Sequence, residues 1–123
     1  MARDGKMGFT STTVGGDALI LNRAEFEGVA LTIDFTGNSD GVVKAGTPIN
    51  KNGAAVTATP WTGAIGVLLD DAYAERPQGT VLKEAYINVT RANAHSGLTL
   101  DADLVAEVAK SGGRLVLESP ITV

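Results

Sequence analysis

His95 is the single histidine of this 123-residue chain and lies in Asn93-Ala94-His95-Ser96-Gly97. Imidazole is the side chain best suited to moving protons near neutral pH. One copy excludes a multi-His metal site, and the neighbouring Ser96 lacks the glycine spacing of a nucleophile elbow. A solvated loop histidine is the expected role. The adjacent carboxylates Asp70 and Asp71 follow an apolar run, where they could bind a cation or act as acid and base. Successive residues of a strand point to opposite faces, so the two converge only if the chain turns there. The expectation is a solvated strand end.

Thr36, Asn38 and Asp40 alternate before Gly41 in an echo of a calcium loop, but position twelve of that frame is Thr47 instead of Glu. A turn is the expected reading. Asn88-Val89-Thr90 matches a glycosylation sequon, and no secretory signal gives it meaning. Cysteine is absent, which excludes thiolate catalysis, Cys-ligated zinc and a disulfide framework. No phosphate-cradling glycine pattern occurs. No catalytic residue, cofactor site or metal site is therefore expected, and the chain reads as a non-enzyme. Trp61, the only tryptophan, sits in Thr59-Pro60-Trp61-Thr62-Gly63, either as an anchor at a protein interface or as a lid on the core.

Ten Lys and Arg against fourteen Asp and Glu give a formal charge of -4, with the cations scattered singly from Arg3 to Arg114. A nucleic-acid binder needs clustered cations to neutralise phosphates, and an anionic membrane surface needs the same. Neither is an expected partner. Met1 to Lys6 is followed by Gly and Thr instead of an apolar run, and no stretch approaches the length of a membrane span. The expected product stays soluble in the cytoplasm where it is made.

These residues must be positioned by one hydrophobic core, which is what the length allows. Fifteen glycines and few aromatics predict many turns around a Val, Leu, Ile and Ala interior. Residues 1–24 predict an extended, flexible arm, and residues 25–123 a single domain. In the arm, Phe9, Thr10, Ser11, Thr12, Thr13 and Val14 favour an extended backbone, since β-branched side chains crowd a helix. Val29 to Phe35 alternates as a strand with one buried face. Val42 to Lys44 and Ala45 to Ile49 predict short strands around a Gly turn, and Asn52-Gly53 a type I′ hairpin turn. Ala64 to Leu69 predicts a strand covered on both sides, with Gly66 marking a bend or close backbone approach. Thr80 to Leu82, Ala85 to Val89 and Leu115 to Leu117 predict further strands. The one predicted helix spans about 100–111, with Thr99 as N-cap, a buried stripe of Leu100, Leu104, Val105 and Val108, and Gly112 as its C-terminal stop. The fold class is α+β, predominantly β: a compact, barrel-like domain with one helix and an N-terminal arm.

From Gly46 onward, the order of features resembles the lambda-type bacteriophage head decoration family. The matching pieces are Ala45-Gly46-Thr47-Pro48-Ile49 followed by Lys51, then Ala64 to Asp71, then Glu84-Ala85-Tyr86-Ile87-Asn88 with Arg91-Ala92, and the helix closing at Gly112. The resemblance covers roughly the last two thirds of the chain. It implies a capsid-stabilising role on the outside of the expanded head, the major capsid protein as partner, assembly as a homotrimer and no catalytic residues. The arm, Phe9 to Val14, is then the expected capsid contact, suited to adding a strand to a partner's sheet edge. The longer N-terminal part and the tail Glu118 to Val123 depart from the family pattern and leave room for a head-fibre or tail-associated protein. A carrier or carbohydrate-binding β domain is the alternative from another class, prompted by the Gly41 to Pro48 turns. Its modified lysine would have to occupy a hairpin tip, whereas Lys83 lies in strand-like sequence.

Overall fold

The computed structural model describes residues 19–119. Its elements in chain order are β1 (Leu21–Thr32), β2 (Val42–Val43), β3 (Pro48–Asn50), β4 (Ala64–Leu68), β5 (Ala72–Tyr73), β6 (Gln78–Asn88), α1 (Val89–Ser96), α2 (Ala102–Lys110) and β7 (Arg114–Glu118). The class is α+β with strands dominant. Among the described residues no helix is long and apolar enough to cross a membrane.

β6 organises the main sheet, whose order is β1-β6-β4-β3. One edge of β6 pairs antiparallel with β1 from Leu31↔Gly79 to Leu21↔Ile87. Its other edge is shared, antiparallel with β4 at Val67↔Leu82 and Leu68↔Val81, then parallel with β7 from Glu84↔Arg114 to Asn88↔Glu118. Among the described residues the path ends at β1 and β3 and forms no closed barrel, so the barrel-like part of the expectation is not shown. A second, two-stranded sheet pairs β2 with β5.

Alternation along β6 and β4 places a core on each face of the sheet. Val67, Leu82, Ala85 and Ile87 join Leu104, Val108 and Leu115 in the larger core, beneath the helices. Leu68 and Val81 face the other way and join Ile33, Ile49, Val43 and Ala72. β4 is thus covered on both sides, as its continuous apolar run predicts. Gly66 is the close approach expected of it: a methyl there would overlap the Leu82 carbonyl of the neighbouring strand.

Several expectations change in detail. The Val29 to Phe35 strand exists and packs on the smaller core, but it starts much earlier, at Leu21, and ends at Thr32. Ile20 is fully buried and its carbonyl accepts from Asn88 N at 2.8 Å. Asn52-Gly53 is not a type I′ turn, because only Gly53 has positive φ. Asn50 closes the turn instead: its carbonyl accepts Gly53 N, and its side chain accepts from Asn52 N and Ala54 N. That geometry suits a three-residue loop with a left-handed glycine.

The largest correction is a second helix. Val89–Ser96 is α1, where a strand end and a loop were expected. The Asn88 side chain accepts from Arg91 N at 3.1 Å and caps it, and Gly97, at φ 79, ends it. A capping side chain satisfies one of the orphan amides that a strand continuation would never have freed. In α2 the N-cap is Asp101 instead of Thr99, its carboxylate accepting from Asp103 N at 3.1 Å, and Leu100 is buried just before the helix. Leu104 and Val108 are fully buried as predicted, with Val105 packed at the margin.

Gly112 ends α2 at φ 91, with nothing near the position a Cβ would take. Any penalty for a side chain there comes from the backbone alone. Gly112→Val should destabilise by about 1 kcal/mol or more, since a β-branched residue resists positive φ. Urea unfolding checks this, and an unchanged midpoint with an unchanged m-value would contradict it.

Candidate functional site

The side chains singled out for chemistry are consumed by structure. Asp71 follows β4 where the chain turns towards β5, and its Oδ1 accepts from Ala45 N at 2.8 Å and from His95 Nε2 at 2.7 Å. An ionised carboxylate only accepts, so Nε2 carries the proton. His95 is therefore not a loop histidine: it stands in the last turn of α1 and ties that helix to the β4–β5 connection and to the loop before β3. Burial pushes the Asp71 carboxyl up, but the Ala45 amide and the His95 ring outweigh it and hold the group below its ordinary value. Asp71 is thus a half-buried clasp instead of a solvated strand end, and no nucleophile joins the pair, since Ser96 Oγ donates to Ala92 O at 2.7 Å.

Thr36 to Gly41 forms a turn, as expected. Asp34 Oδ1 accepts from Thr36 N, and Asn38 Oδ1 accepts from Asp40 N and Gly41 N. Among the described residues no group of three or more His, Cys, Asp or Glu is placed to hold a metal ion.

Trp61 is only 3% exposed and packs in the larger core, with its indole N–H donating to Asp101 Oδ1 at 2.9 Å. That burial is what a lid on the core requires. Its φ of 66 is unusual for a bulky residue, and Asp101 meets it while also capping α2. A single carboxylate thus joins the Trp61 loop to the helix. Glu107 reinforces this link by accepting from Gly63 N at 3.0 Å, and that amide, with Lys110, holds its carboxyl below the usual range.

The expected contact segment, Phe9 to Val14, lies outside the described residues. A feature not anticipated from sequence is the surface beside the start of β1. There β1 advances from Leu21 to Phe26 while β6 moves only from Ile87 to Ala85, a bulge that lifts β1 off regular pairing. Arg23 lies over the Tyr86 ring at 4.6 Å and donates Nε and Nη2 to the two oxygens of Glu118, at 3.2 and 2.9 Å. These bonds hold the Glu118 carboxyl below its ordinary value. Beyond them a groove of about 340 Å³ crosses β1, β6 and β7, lined by Phe26, Tyr86 and Val116 with Glu25, Glu27, Glu84 and Arg114. Phe26 is 47% exposed, although it was not a candidate. The only sequence signal was a phenylalanine set between two glutamates on a strand.

No protein-family model, curated protein or solved structure matches the chain.

The clasp has a pH signature. A carboxyl with a depressed folded pKa adds stability above its unfolded value, near 3.8, and loses it as pH falls through the folded value. Asp71→Ala should therefore cost about 1–2 kcal/mol near neutrality, discounted for its partial exposure. The penalty should shrink as the solution is acidified below the ordinary carboxylate range. Urea unfolding followed by Trp61 fluorescence checks both, and a penalty independent of pH would contradict the assignment.

Proposed function

We propose that this protein is a bacteriophage head decoration protein, a non-enzymatic domain that binds the outside of the expanded head through the major capsid protein. In this reading it assembles as a homotrimer there and stabilises the shell against the pressure of packaged DNA. It is made in the host cytoplasm and resides on the virion exterior.

The observation that carries the reading is where the family-like segments fall. Ala45 to Ile49 leads into β3, Ala64 to Asp71 builds β4 and the clasp, Glu84 to Asn88 is the part of β6 between β1 and β7, and Arg91-Ala92 sits on α1. Three of them lie on or beside β6, and Ala45 to Ile49 joins them through the pairing of β3 with β4. The use of the polar groups supports a binding role as well. Asp71, Asn88, Asp101 and Glu107 each accept from a backbone amide, so the carboxylates and amides most available for chemistry secure loops and helix ends instead.

The carrier alternative is weakened by Lys83, which lies inside β6 with its ammonium 3.4 Å from Ser111 O, not at a hairpin tip. A head-fibre or tail-associated role shares the same scaffold and differs in where on the particle the protein sits.

Attachment is assigned to the N-terminal arm. Phe9 to Val14 carries no charge and is rich in β-branched residues, so it can add a strand to an exposed capsid sheet edge, backbone hydrogen bonds giving affinity and alternate side chains specificity. Ordering it costs roughly 1–2 kcal/mol per residue, which the partner's bonds must offset. Deleting residues 2–16 should leave the melting temperature nearly unchanged and lower co-sedimentation with expanded heads by roughly tenfold or more. Full-strength binding by the truncated protein would move the attachment to the folded domain.

A further inference from the structure

The asparagine side chains of this chain hold bonds, with one exception. Asn38 Oδ1 accepts from Asp40 N and Gly41 N, and its Nδ2 donates to Val42 O. Asn50, Asn88 and Asn93 accept from backbone amides through Oδ1, and Asn22 Nδ2 donates to Glu118 and Ser119. Asn52 is exposed, and among the described residues its side-chain amide meets no partner. It is also the only asparagine followed by glycine; the others precede Arg23, Ser39, Lys51, Val89 and Ala94.

A free carboxamide beside a glycyl peptide bond is chemically labile, because no Cβ on the glycine shields the nitrogen that attacks it. The Gly53 amide gives its proton to solvent base, and its nitrogen attacks Asn52 Cγ. The N–Cγ bond forms, the Cγ–Nδ2 bond breaks, and ammonia leaves with a proton taken from water. The resulting succinimide then takes up water. Opening at Cγ leaves aspartate at position 52. Opening at the α-carbonyl leaves isoaspartate, with the main chain rerouted through Cβ and Cγ. No oxidation or reduction occurs.

The fold sets how fast this runs and what it disturbs. Gly53 N donates to Asn50 O at 3.0 Å, and deprotonation forfeits that bond. Asn50 Oδ1 accepts from Asn52 N at 2.9 Å and Ala54 N at 3.0 Å, which fixes the backbone on both sides of the reacting atoms. Reaction therefore waits on a local opening of the loop. On the product side, Gly53 O accepts from Asp34 N at 2.9 Å, and a Cβ on Gly53 would overlap the Thr32 carbonyl. Gly53 is thus wedged against the end of β1. Isoaspartate lengthens the main chain immediately before it by about 1.5 Å, more than that close approach accommodates.

We propose that Asn52 is a self-modification site: it deamidates through a succinimide with Gly53, the Asn50 turn gates the rate, and the isoaspartate product unhooks the β3–β4 loop from the end of β1. The reaction needs no partner and is independent of the capsid role.

Full-length protein incubated at mildly alkaline pH, folded and in urea, tests this by peptide mapping for the exchange of NH2 for OH, with isoaspartyl methyltransferase labelling to identify the rerouted product. In the folded protein conversion should be confined to Asn52 and run roughly ten- to a hundredfold slower than in the unfolded chain, since opening breaks several hydrogen bonds. Asn50→Ala should recover roughly tenfold of that difference. A reading that needs no variant is hydrogen exchange, in which the Gly53 amide of the wild type should show protection of the same size as the slowing. In the isoaspartate form the Asp34 amide should exchange roughly tenfold faster than in the unmodified protein, whereas Asn52→Asp, with the same charge and an ordinary main chain, should keep its protection. Conversion of folded protein as fast as in urea, or spread evenly over the other asparagines, would overturn the proposal. So would an unconverted Asn52 after about a hundred half-lives of the unfolded reaction, unchanged Asp34 protection in the isoaspartate form, or equal loss of it in Asn52→Asp.

Discussion

The arrangement depends on filling both edges of β6. An eleven-residue strand buried along much of its length carries backbone amides and carbonyls that must all find partners, and leaving one unmet in the interior costs about as much as a lost hydrogen bond. β1 satisfies one edge. The other is divided between β4, which meets only Val81 and Leu82, and β7, which takes over from Glu84 onward. This division sets the positions of the remaining elements. β7 must run parallel to β6, so the chain needs a crossover, and α1 and α2 supply it. The helices then cover the face that carries Ala85, Ile87 and Leu115.

Several side chains fix the crossover, and they are the ones that first suggest chemistry. Asn88 stops β6 and starts α1, Asp71 holds the end of α1 through His95, and Asp101 starts α2 while meeting Trp61. Charge-assisted bonds of this kind are strong where water is partly excluded. They also leave these groups little freedom to exchange protons or metal ions with a substrate.

Much of the sheet could be read from pattern. Alternation located the strand from Val29, and the unbroken apolar run at Ala64 to Leu68 announced a doubly covered strand because both faces are in fact buried. The same rule hid α1: Ala85 to Val89 keeps a period of two up to the point where the Asn88 side chain turns the backbone, and Val89 and Thr90 are poor helix formers. Asn88 and Gly97, placed as cap and stop, were the available signal. The Asp71–His95 clasp was illegible because its partners are 24 residues apart and meet only through tertiary packing. The start of β1 was missed for a related reason. From Arg23 to Gly28 no face is buried, so no hydrophobic period marks it, and pairing with β6 alone makes it a strand.

The central claim is that this scaffold decorates an expanded phage head. Electron cryomicroscopy of expanded heads saturated with the purified protein tests it most directly, against unexpanded heads as the comparison. The account predicts density for three copies clustered at threefold positions on the outer surface of expanded heads. Expanded heads bare of added density at saturation would contradict it.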